Sequence, residues 1–417
     1  MALPASGPLS MSAIKLEANN STTYSLNLLS VYCNKATTPN SMSEFYSYGA
    51  TFQLTAGLNT IGFTGQNGVL PQGGWAVCGM SPAGNTNWSI VKLFPNGQVD
   101  TSFAQYATQA MRGCFYSYAN DRYYGYGTFG FYGTWGKSYF VCCLPSGAPD
   151  TAFNSGGSGV NTVGSGFVNA GAPLSSGQIL IGGDFTSYNG TSVNRLARLN
   201  SNGTLDTSFN SGGSGCNVSV IYIVVDANGK ILVGTDGAGQ WNGNSFNGIF
   251  RINSDGSWDS TFNSGGAGMS GGGNSCNCIA LDSTGKIHIV GWFSAYNGTT
   301  RGGGYCRLNS NGSLDTGFTP DNGNTADNVV VGGDDLPVLC LRNNNGNGVW
   351  RKLTSTGAYN STFNTASTTF DVEPNLTIAA TNNTYIVLPN ISSYAGTSIG
   401  GRNICRISAT GSLLSFS

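Results

Sequence analysis

The sequence predicts an all-β protein: a seven-bladed β-propeller with blades of about 50 residues, preceded by a short segment outside the repeat. Three observations predict this fold. The composition is poor in helix-forming residues, one motif returns seven times at a nearly constant interval, and each returning unit holds three or four short strand-like runs. Repeats of this length with about four strands each are typical of propeller blades.

The composition also excludes several classes of function. Glycine supplies 63 of the 417 residues and only 9% of residues are charged, whereas about 25% is usual in soluble domains. The formal net charge of −1 gives no basic surface for a nucleic acid. No apolar run approaches the length of about 18 residues that crosses a bilayer. We therefore expect no nucleic-acid partner and no membrane insertion.

The repeated motif is clearest in residues 199–209, which read LNSNGTLDTSF. Its glycine recurs at spacings of 45 to 56 residues, at Gly97, Gly147, Gly203, Gly256, Gly312, Gly357 and Gly411. We number the copies one to seven in this order. A small sheet of this size buries its faces only against neighbouring repeats, so we predict that residues 51–417 form the propeller. A β-solenoid is the alternative.

Each unit has the same internal order of segments. An apolar strand such as KILVG (230–234) comes first, and a turn with Asn-Gly follows, as at 189–190, 242–243 and 297–298. Asn and Gly both tolerate positive φ, which a type I′ hairpin turn requires at its two central positions. A further strand then leads to the turn that carries the repeated glycine. This order predicts antiparallel sheets with short connections.

Charged residues recur at two positions of the motif. A basic residue precedes its first apolar residue in six copies, and copy two has Cys143 there; the six are Lys92, Arg198, Arg251, Arg307, Lys352 and Arg406. In five copies an acidic residue stands three positions after the glycine, at Asp100, Asp150, Asp206, Asp259 and Asp315. Because a half-buried charge needs a partner, we expect each cation to bond the aspartate or turn carbonyls of its own blade. A cation site lined by these aspartates is the alternative.

Few residues are candidates for catalysis. His288 is the only histidine, and we expect it to be a neutral, hydrogen-bonded core residue, so mechanisms that need several imidazoles are excluded. The eleven cysteines have no regular metal-ligand spacing, and we expect buried free thiols. The sequence thus predicts no catalytic residues, no metal and no cofactor, although paired carboxylates cannot be judged from composition.

Copy two departs from the repeat by a cluster of aromatic residues. Twelve of the 26 residues in 115–140 are Phe, Tyr or Trp. They either fill the core between blades or form a flat surface for sugar rings or another protein. For the second reading, the candidate binding residues are Tyr123, Tyr124, Tyr126, Phe131, Tyr132 and Trp135.

Two resemblances extend this reading. RLNSNGTLDTSFN (198–210), preceded by ILIGGDFTSYNGT (179–191), resembles delta-60-type repeats, a family regarded as propeller-forming. ALPASGPLSMSAIKLEANN (2–20) and SMSEFYSYGA (41–50) resemble the start of tail and fibre proteins of tailed bacteriophages, although Ser47 stands where that pattern has glycine. This second resemblance implies a virion structural protein whose residues 1–50 dock on other virion proteins.

From these resemblances we expect a non-enzymatic protein on the surface of a phage particle, at the tail, that contributes to host attachment. Its outer partner would be a host cell-surface glycan or protein. Residues 1–50 lack the repeat and are rich in Ser, Thr and Asn, which suits a segment that becomes ordered on a partner; a simple extension of blade one is the alternative. The other candidate functions are a capsid or tail decoration protein and a glycan-active enzyme on a propeller scaffold.

Overall fold

The computed structural model describes much of the chain between residues 68 and 412, and these described residues belong to one compact unit, Leu54–Ser415. They are 68–69, 75–80, 88–93, 100–104, 111–130, 138–161, 167–320, 325–342, 348–363, 376–380, 384–388, 393–394, 397–398, 405–408 and 412. The predicted docking segment, residues 1–50, lies outside them.

The described elements are short strands and one 3₁₀ turn, Gly302–Gly304. The strands are β1 (Gly68–Val69), β2 (Trp75–Met80), β3 (Trp88–Leu93), β4 (Met111–Ser117), β5 (Arg122–Gly127), β6 (Phe140–Cys143), β7 (Val160–Asn161), β8 (Val168–Pro173), β9 (Ile179–Gly183), β10 (Ser187–Tyr188), β11 (Thr191–Ser192), β12 (Leu196–Leu199), β13 (Val220–Val225), β14 (Ile231–Trp241), β15 (Asn244–Ile252), β16 (Met269–Ser270), β17 (Ser275–Leu281), β18 (Ile287–Trp292), β19 (Ala295–Tyr296), β20 (Thr299–Thr300), β21 (Tyr305–Leu308), β22 (Thr325–Val331), β23 (Pro337–Arg342), β24 (Gly348–Lys352), β25 (Leu376–Ala380), β26 (Thr384–Leu388), β27 (Ser393–Tyr394), β28 (Thr397–Ser398) and β29 (Cys405–Ile407).

These strands form small antiparallel sheets in chain order, which confirms the predicted all-β class. The three-stranded sheets are β1-β2-β3, β4-β5-β6, β8-β9-β12, β22-β23-β24 and β25-β26-β29; a single bridge between β14 and β17 joins β13-β14-β15 and β17-β18-β21 into one six-stranded sheet. Short outer ribbons are β7-β10-β11, β16-β19-β20 and β27-β28. The first strand of one sheet contacts the first strand of the next, from β4 through β8, β13, β17 and β22 to β25.

The middle strands whose burial the structure describes, β5, β9, β14, β18 and β23, are largely buried on both faces, and β9 shows why. Ile179 and Ile181 pack in one apolar cluster with Phe140 of the preceding sheet. Leu180, which points the other way, packs in a second cluster with Val220 of the following sheet. Side chains alternate between the faces of a strand, so the sheet of β9 shares one core with each of its two neighbours. A continuous apolar run is the sequence pattern expected for such a strand.

The Asn-Gly turns have the predicted conformation. Asn189 and Gly190 have φ of 49° and 78°, and the turns at 242–243 and 297–298 are likewise positive at both residues, as in a type I′ hairpin. Asn189 also exchanges hydrogen bonds with Asn154, through Nδ2–Oδ1 distances of 2.7 and 3.1 Å. Equivalent reciprocal amide pairs join Asn210 with Asn242 and Asn263 with Asn297.

The repeated glycine turn of one copy docks on the end of the preceding copy. The N–H of Asn210 donates to the carbonyl of Asp255 at 2.8 Å, and a Cβ on Gly256 would lie 2.7 Å from the backbone nitrogen of Asn210. Equivalent bonds run from Ala104 to Ser146, Asn154 to Asn202, Asn263 to Asn311 and Thr319 to Thr356. The glycine therefore supplies both a left-handed backbone and the space for this contact between copies.

Candidate functional site

The structure brings together the repeated basic and acidic side chains of the motif. Arg251 Nε lies 2.7 Å from Asp259 Oδ2, with both side chains buried. Arg198 pairs with Asp206, Arg307 with Asp315 and Lys92 with Asp100, at 2.7 to 2.9 Å. These carboxylates are thus engaged by cations of their own copy. They are not free to line a cation site, which was the alternative reading of the pattern.

Arg198 and Arg251 also reach the following copy, in addition to the bonds within their own blade that the sequence predicts. Arg251 Nη1 donates to the carbonyl of Ser310 at 2.5 Å, and Arg198 Nη1 donates to that of Ser254. The guanidinium of Arg251 lies over the ring of Phe262, 4.9 Å from its centroid. Charge, ring and carbonyl together fix the arginine, so these residues connect successive repeats.

Sequence reasoning missed a second donor to the same aspartates. Lys230 Nζ lies 2.6 Å from Asp259 Oδ2, and Lys286 Nζ lies 2.7 Å from Asp315 Oδ2. In copy three, Gln178 donates to Asp206 at 2.6 Å. The signal was present in the sequence, because these residues stand directly before the apolar strand of the unit.

Copies two and six replace the usual pair. In copy two, Cys142 rather than Cys143 occupies the basic position, because its carbonyl accepts a hydrogen bond from the N–H of Asp150, as the carbonyl of Arg198 does from Asp206. The motif of copy two is one residue shorter than that of copy three. Arg122, the counterpart of Gln178 in the second-donor position, binds Asp150 at 2.8 Å instead. In copy six, Lys352 pairs with Asp334 at 2.5 Å. The side chain of Arg406 in copy seven lies outside the described residues.

These pairs lower the pKa of their aspartates. Burial raises the pKa of Asp206 and Asp315, but hydrogen bonds outweigh it: from Ser208 and Arg198 to Asp206, and from Lys286 and Arg307 to Asp315. The pKa values of Asp100 and Asp259 are lowered in the same way. A carboxyl whose pKa falls on folding adds stability above its unfolded pKa of about 3.9. That stability is lost as the pH falls below it.

We therefore expect the free energy of unfolding to drop steeply below about pH 4, where the unfolded carboxyls take up protons first. Urea unfolding followed between pH 5 and pH 2.5 measures this drop. The Asp315→Asn variant, which has no charge to lose at this position, should show a shallower acid slope than the unchanged protein. Equal slopes for the two proteins would contradict the linkage.

His288 is buried, as predicted, and its Nδ1 lies 2.7 Å from the hydroxyl of Tyr305. Burial holds the pKa of His288 below its ordinary value, although Asp282 Oδ2 lies 3.7 Å from Nε2 and favours the charged form. The unfolded chain takes up a proton near pH 6.5, and the folded chain does so only at lower pH. His288 therefore costs stability as the pH falls below about 6.5.

The double variant His288→Leu with Tyr305→Phe tests this contribution. Copies three and four carry leucine at the position of His288, at Leu180 and Leu232, so the substitution suits the fold. In the unchanged protein we expect a loss of at most about 1.4 kcal/mol per pH unit between pH 6.5 and 5. The double variant should have a flat profile there. A profile that stays as steep as before would assign the loss to other groups.

Most of the aromatic residues of copy two that the structure describes belong to the core, whereas Tyr118 is exposed. Tyr124 and Tyr126 are fully buried and Tyr123 is 4% exposed, so these three do not present a binding surface. Tyr124 stacks between Phe115 and Phe140, with centroids 5.1 and 5.8 Å away. The alternation of these rings with glycine reflects packing between sheets. Phe131, Tyr132 and Trp135 lie outside the described residues.

A second group of residues differs from copy to copy, at one end of the first strands. Each of five first strands skips one residue in its pairing with the middle strand; the skipped residues are Arg112, Asn169, Ile221, Asn277 and Asp327. We call them the bulge residues. A β-bulge re-aims the side chain it carries and often lies at a functional edge. Their types vary from copy to copy, with asparagine in two of the five, in contrast to the arginine and aspartate positions.

The bulge residues make contacts across successive sheets. Arg112 Nη1 donates to Asn169 Oδ1, and the Arg112 guanidinium lies 5.4 Å from the centroid of Phe167. Asn169 Nδ2 in turn lies 3.3 Å from Asp184 Oδ2 and 3.2 Å from Ser219 Oγ. Polar groups of three sheets therefore meet at this end, which makes it the candidate binding edge.

Three further features of the described residues bear on function: metal ligands, thiols and membrane spans. No three His, Cys, Asp or Glu side chains there lie close enough together to hold a metal ion. Eight cysteines whose side chains the structure describes are buried thiols, and burial raises the pKa of Cys142. Within the same part of the chain, no helix has the length and apolar character needed to cross a membrane.

Comparison with known families finds a partial match to the repeat. Residues 73–103, 174–209, 227–262 and 283–318 match the model of a domain of unknown function (DUF5122) described as a β-propeller. These segments contain copies one, three, four and five of the motif. The match supports a propeller-type repeat domain. No curated protein matches the chain.

Among solved structures, the likenesses are distant. A streptogramin B lyase is 14% identical with a TM-score of 0.34, over 58% of this chain and 65% of its own. A catalytically inactive virginiamycin B lyase from Staphylococcus aureus is 14% identical with a TM-score of 0.39, over 73% and 83%. Regucalcin from Agrobacterium tumefaciens is 13% identical with a TM-score of 0.36, over 67% and 82%. Likenesses at this level do not inform function.

Proposed function

We propose that residues 51–417 form a closed, seven-bladed propeller that acts without catalysis as a rigid binding scaffold on the surface of a bacteriophage particle. Residues 1–50 dock on other virion proteins, and the propeller contributes to attachment at the host surface. The docking part of this proposal is supported by the resemblance of residues 2–20 and 41–50 to tail and fibre proteins.

One observation carries the binding role: the division between repeated and unrepeated residues. The charges at the motif positions are used for pairs such as Arg251 with Asp259, which hold successive sheets together. The bulge residues, at one end of the first strands, vary in charge and size, from Arg112 to Asp327. Repetition serves the scaffold, and variation at one edge suits recognition of a partner that does not share the symmetry of the repeat.

Attachment through such an edge does not need high affinity at a single site. Several copies of the protein on one particle would engage a surface together, and multivalent binding exceeds the single-site affinity by orders of magnitude. The scaffold has only to hold its binding edge rigidly. The contacts between successive sheets, such as the bond from Asn210 to Asp255, supply that rigidity.

The test has two parts. Antibodies against the full-length protein should label purified virions, and saturating amounts of the purified protein should reduce adsorption of virions to host cells. Absence of the chain from purified particles would overturn the virion assignment. Labelling of the capsid without any effect on adsorption would favour a decoration protein instead.

A further inference from the structure

Trp292, the last residue of β18, is the most exposed large aromatic residue in the described part of the chain. Its exposed fraction is 66%, whereas Trp241 and Trp350 are fully buried. Tyr118 is the other highly exposed one, at 63%, and it lies beyond the opposite end of β4 from the bulge residue Arg112. An indole that is two-thirds exposed gives up apolar burial that would otherwise stabilise the fold.

The pairing of strands places two polar residues beside this indole. Ser275 on β17 pairs directly with Trp292 on one side and with Asp236 on β14 on the other. Directly opposed residues of antiparallel strands share one face of the sheet, with Cβ atoms about 5 Å apart. The indole and the Asp236 carboxylate therefore lie on either side of Ser275, with attachment points about 10 Å apart.

The surface next to the indole is bare backbone. A Cβ on Gly273 would lie 3.7 Å from Trp292 Cε3, and one on Gly272 would lie 2.8 Å from the Trp292 carbonyl oxygen. On the side of Asp236, a Cβ on Gly237 would lie 3.3 Å from the carbonyl oxygen of Gly273. Glycine at these positions lets a ligand approach the peptide closely. No side chain of this loop covers the indole.

The Asp236 carboxylate is available to a ligand. It is exposed and, among the described residues, makes no side-chain hydrogen bond or ion pair. This sets it apart from the motif aspartates such as Asp259, which are buried and paired. A free carboxylate accepts hydrogen bonds from hydroxyl groups.

We propose that Trp292, Asp236 and the glycine loop 271–273 form a binding site for a neutral glycan, with one pyranose ring stacked on the indole and its hydroxyls donating to Asp236. The inference rests on the proposed attachment function and names its ligand class and site. A sugar offers an apolar C–H face together with hydroxyl groups, which is the combination that an indole beside a carboxylate accepts.

The surroundings disfavour other partners. A protein interface core joins several large apolar side chains, whereas Trp292 is bordered here by glycine, Ser275 and Asp236. An anionic membrane surface attracts basic residues, and the residue in register beside Trp292 across Ser275 is acidic. The site thus fits a small polar ligand with one apolar face.

The test measures binding of the full chain to a printed array of bacterial and mammalian glycans, followed by titration with the strongest neutral glycan. Trp292→Ala should weaken that binding at least about tenfold, the loss of one stacking contact, and Asp236→Asn should weaken it several-fold. Tyr118→Ala, which removes an equally exposed ring elsewhere, is the matched control and should bind like the unchanged protein. All three variants should keep the unchanged melting temperature, because the altered side chains are exposed.

Two results would overturn this site: binding of no neutral glycan by the unchanged protein, or equal binding by Trp292→Ala. The outcome is separable from the attachment function. If the protein competes for adsorption but binds no glycan, then attachment stands and the ligand class is wrong. If the chain is absent from virions but Trp292→Ala still abolishes glycan binding, then the site stands without that function.

Discussion

Replacing Asp259 with alanine is expected to lower the free energy of unfolding by about 3–5 kcal/mol, the usual cost of removing one partner from a buried ion pair. Asp259 receives Lys230, the buried Arg251 and the hydroxyl of Thr261. Without it, the Arg251 guanidinium stays buried without a counter-charge. Urea unfolding of the full chain at pH 7 measures the change.

The matched control is Asp236→Ala in the same sheet. That carboxylate is exposed and has no side-chain partner among the described residues, so the free energy of unfolding should change by no more than about 0.5 kcal/mol. A loss for Asp259→Ala as small as that of the control would show that the repeated pairs do not stabilise the sheets.

Gly256→Ala is the second large effect, with an expected loss of about 2–5 kcal/mol. Gly256 has φ of +89°, where a non-glycine residue costs about 1–2 kcal/mol. Its added Cβ would also lie 2.7 Å from the backbone nitrogen of Asn210, and crowding of this kind typically costs a further 1–3 kcal/mol. Thermal and urea unfolding both report the loss.

Gly212→Ala separates the two contributions. Gly212 also has a positive φ, +74°, but nothing lies within 4 Å of its added Cβ. Only the backbone cost of about 1–2 kcal/mol is expected there. If both variants lose the same stability, the added Cβ of Gly256→Ala is not crowded by Asn210.

The sequence was sufficient for features that recur with its period. The spacing of the glycines predicts repeated sheets, and the Asn-Gly pairs predict turns that have positive φ at both residues, as at Asn189 and Gly190. The positions of Arg198 and Asp206, eight residues apart in the motif, predict a pair that the structure brings to 2.7 Å. These features are local, so each unit specifies them by itself.

Features that join different copies were harder to predict. The bond from Arg251 to the carbonyl of Ser310 spans 59 residues, and the motif does not specify which copy packs beside Arg251. The same holds for the register of Asp236, Ser275 and Trp292, which depends on the pairing between strands of adjacent sheets. The sequence gives the residue types, whereas the residues that they contact in other copies depend on tertiary packing.

The aromatic cluster of copy two shows a third limit. Tyr124 belongs to a cluster whose composition is typical of a binding surface, yet it is fully buried between Phe115 and Phe140. Trp292 lies outside this aromatic cluster, yet it is two-thirds exposed. Burial depends on which face of a sheet meets its neighbour, and a cluster of aromatic letters does not specify that.

A crystal structure of the full 417-residue chain tests the central claim, closure of the repeats into one ring, most directly. We expect β25-β26-β29 to pack against β1-β2-β3, so that each sheet has a neighbour on both faces. An open arrangement, in which those two sheets lie apart and each leaves one apolar face in solvent, would contradict it.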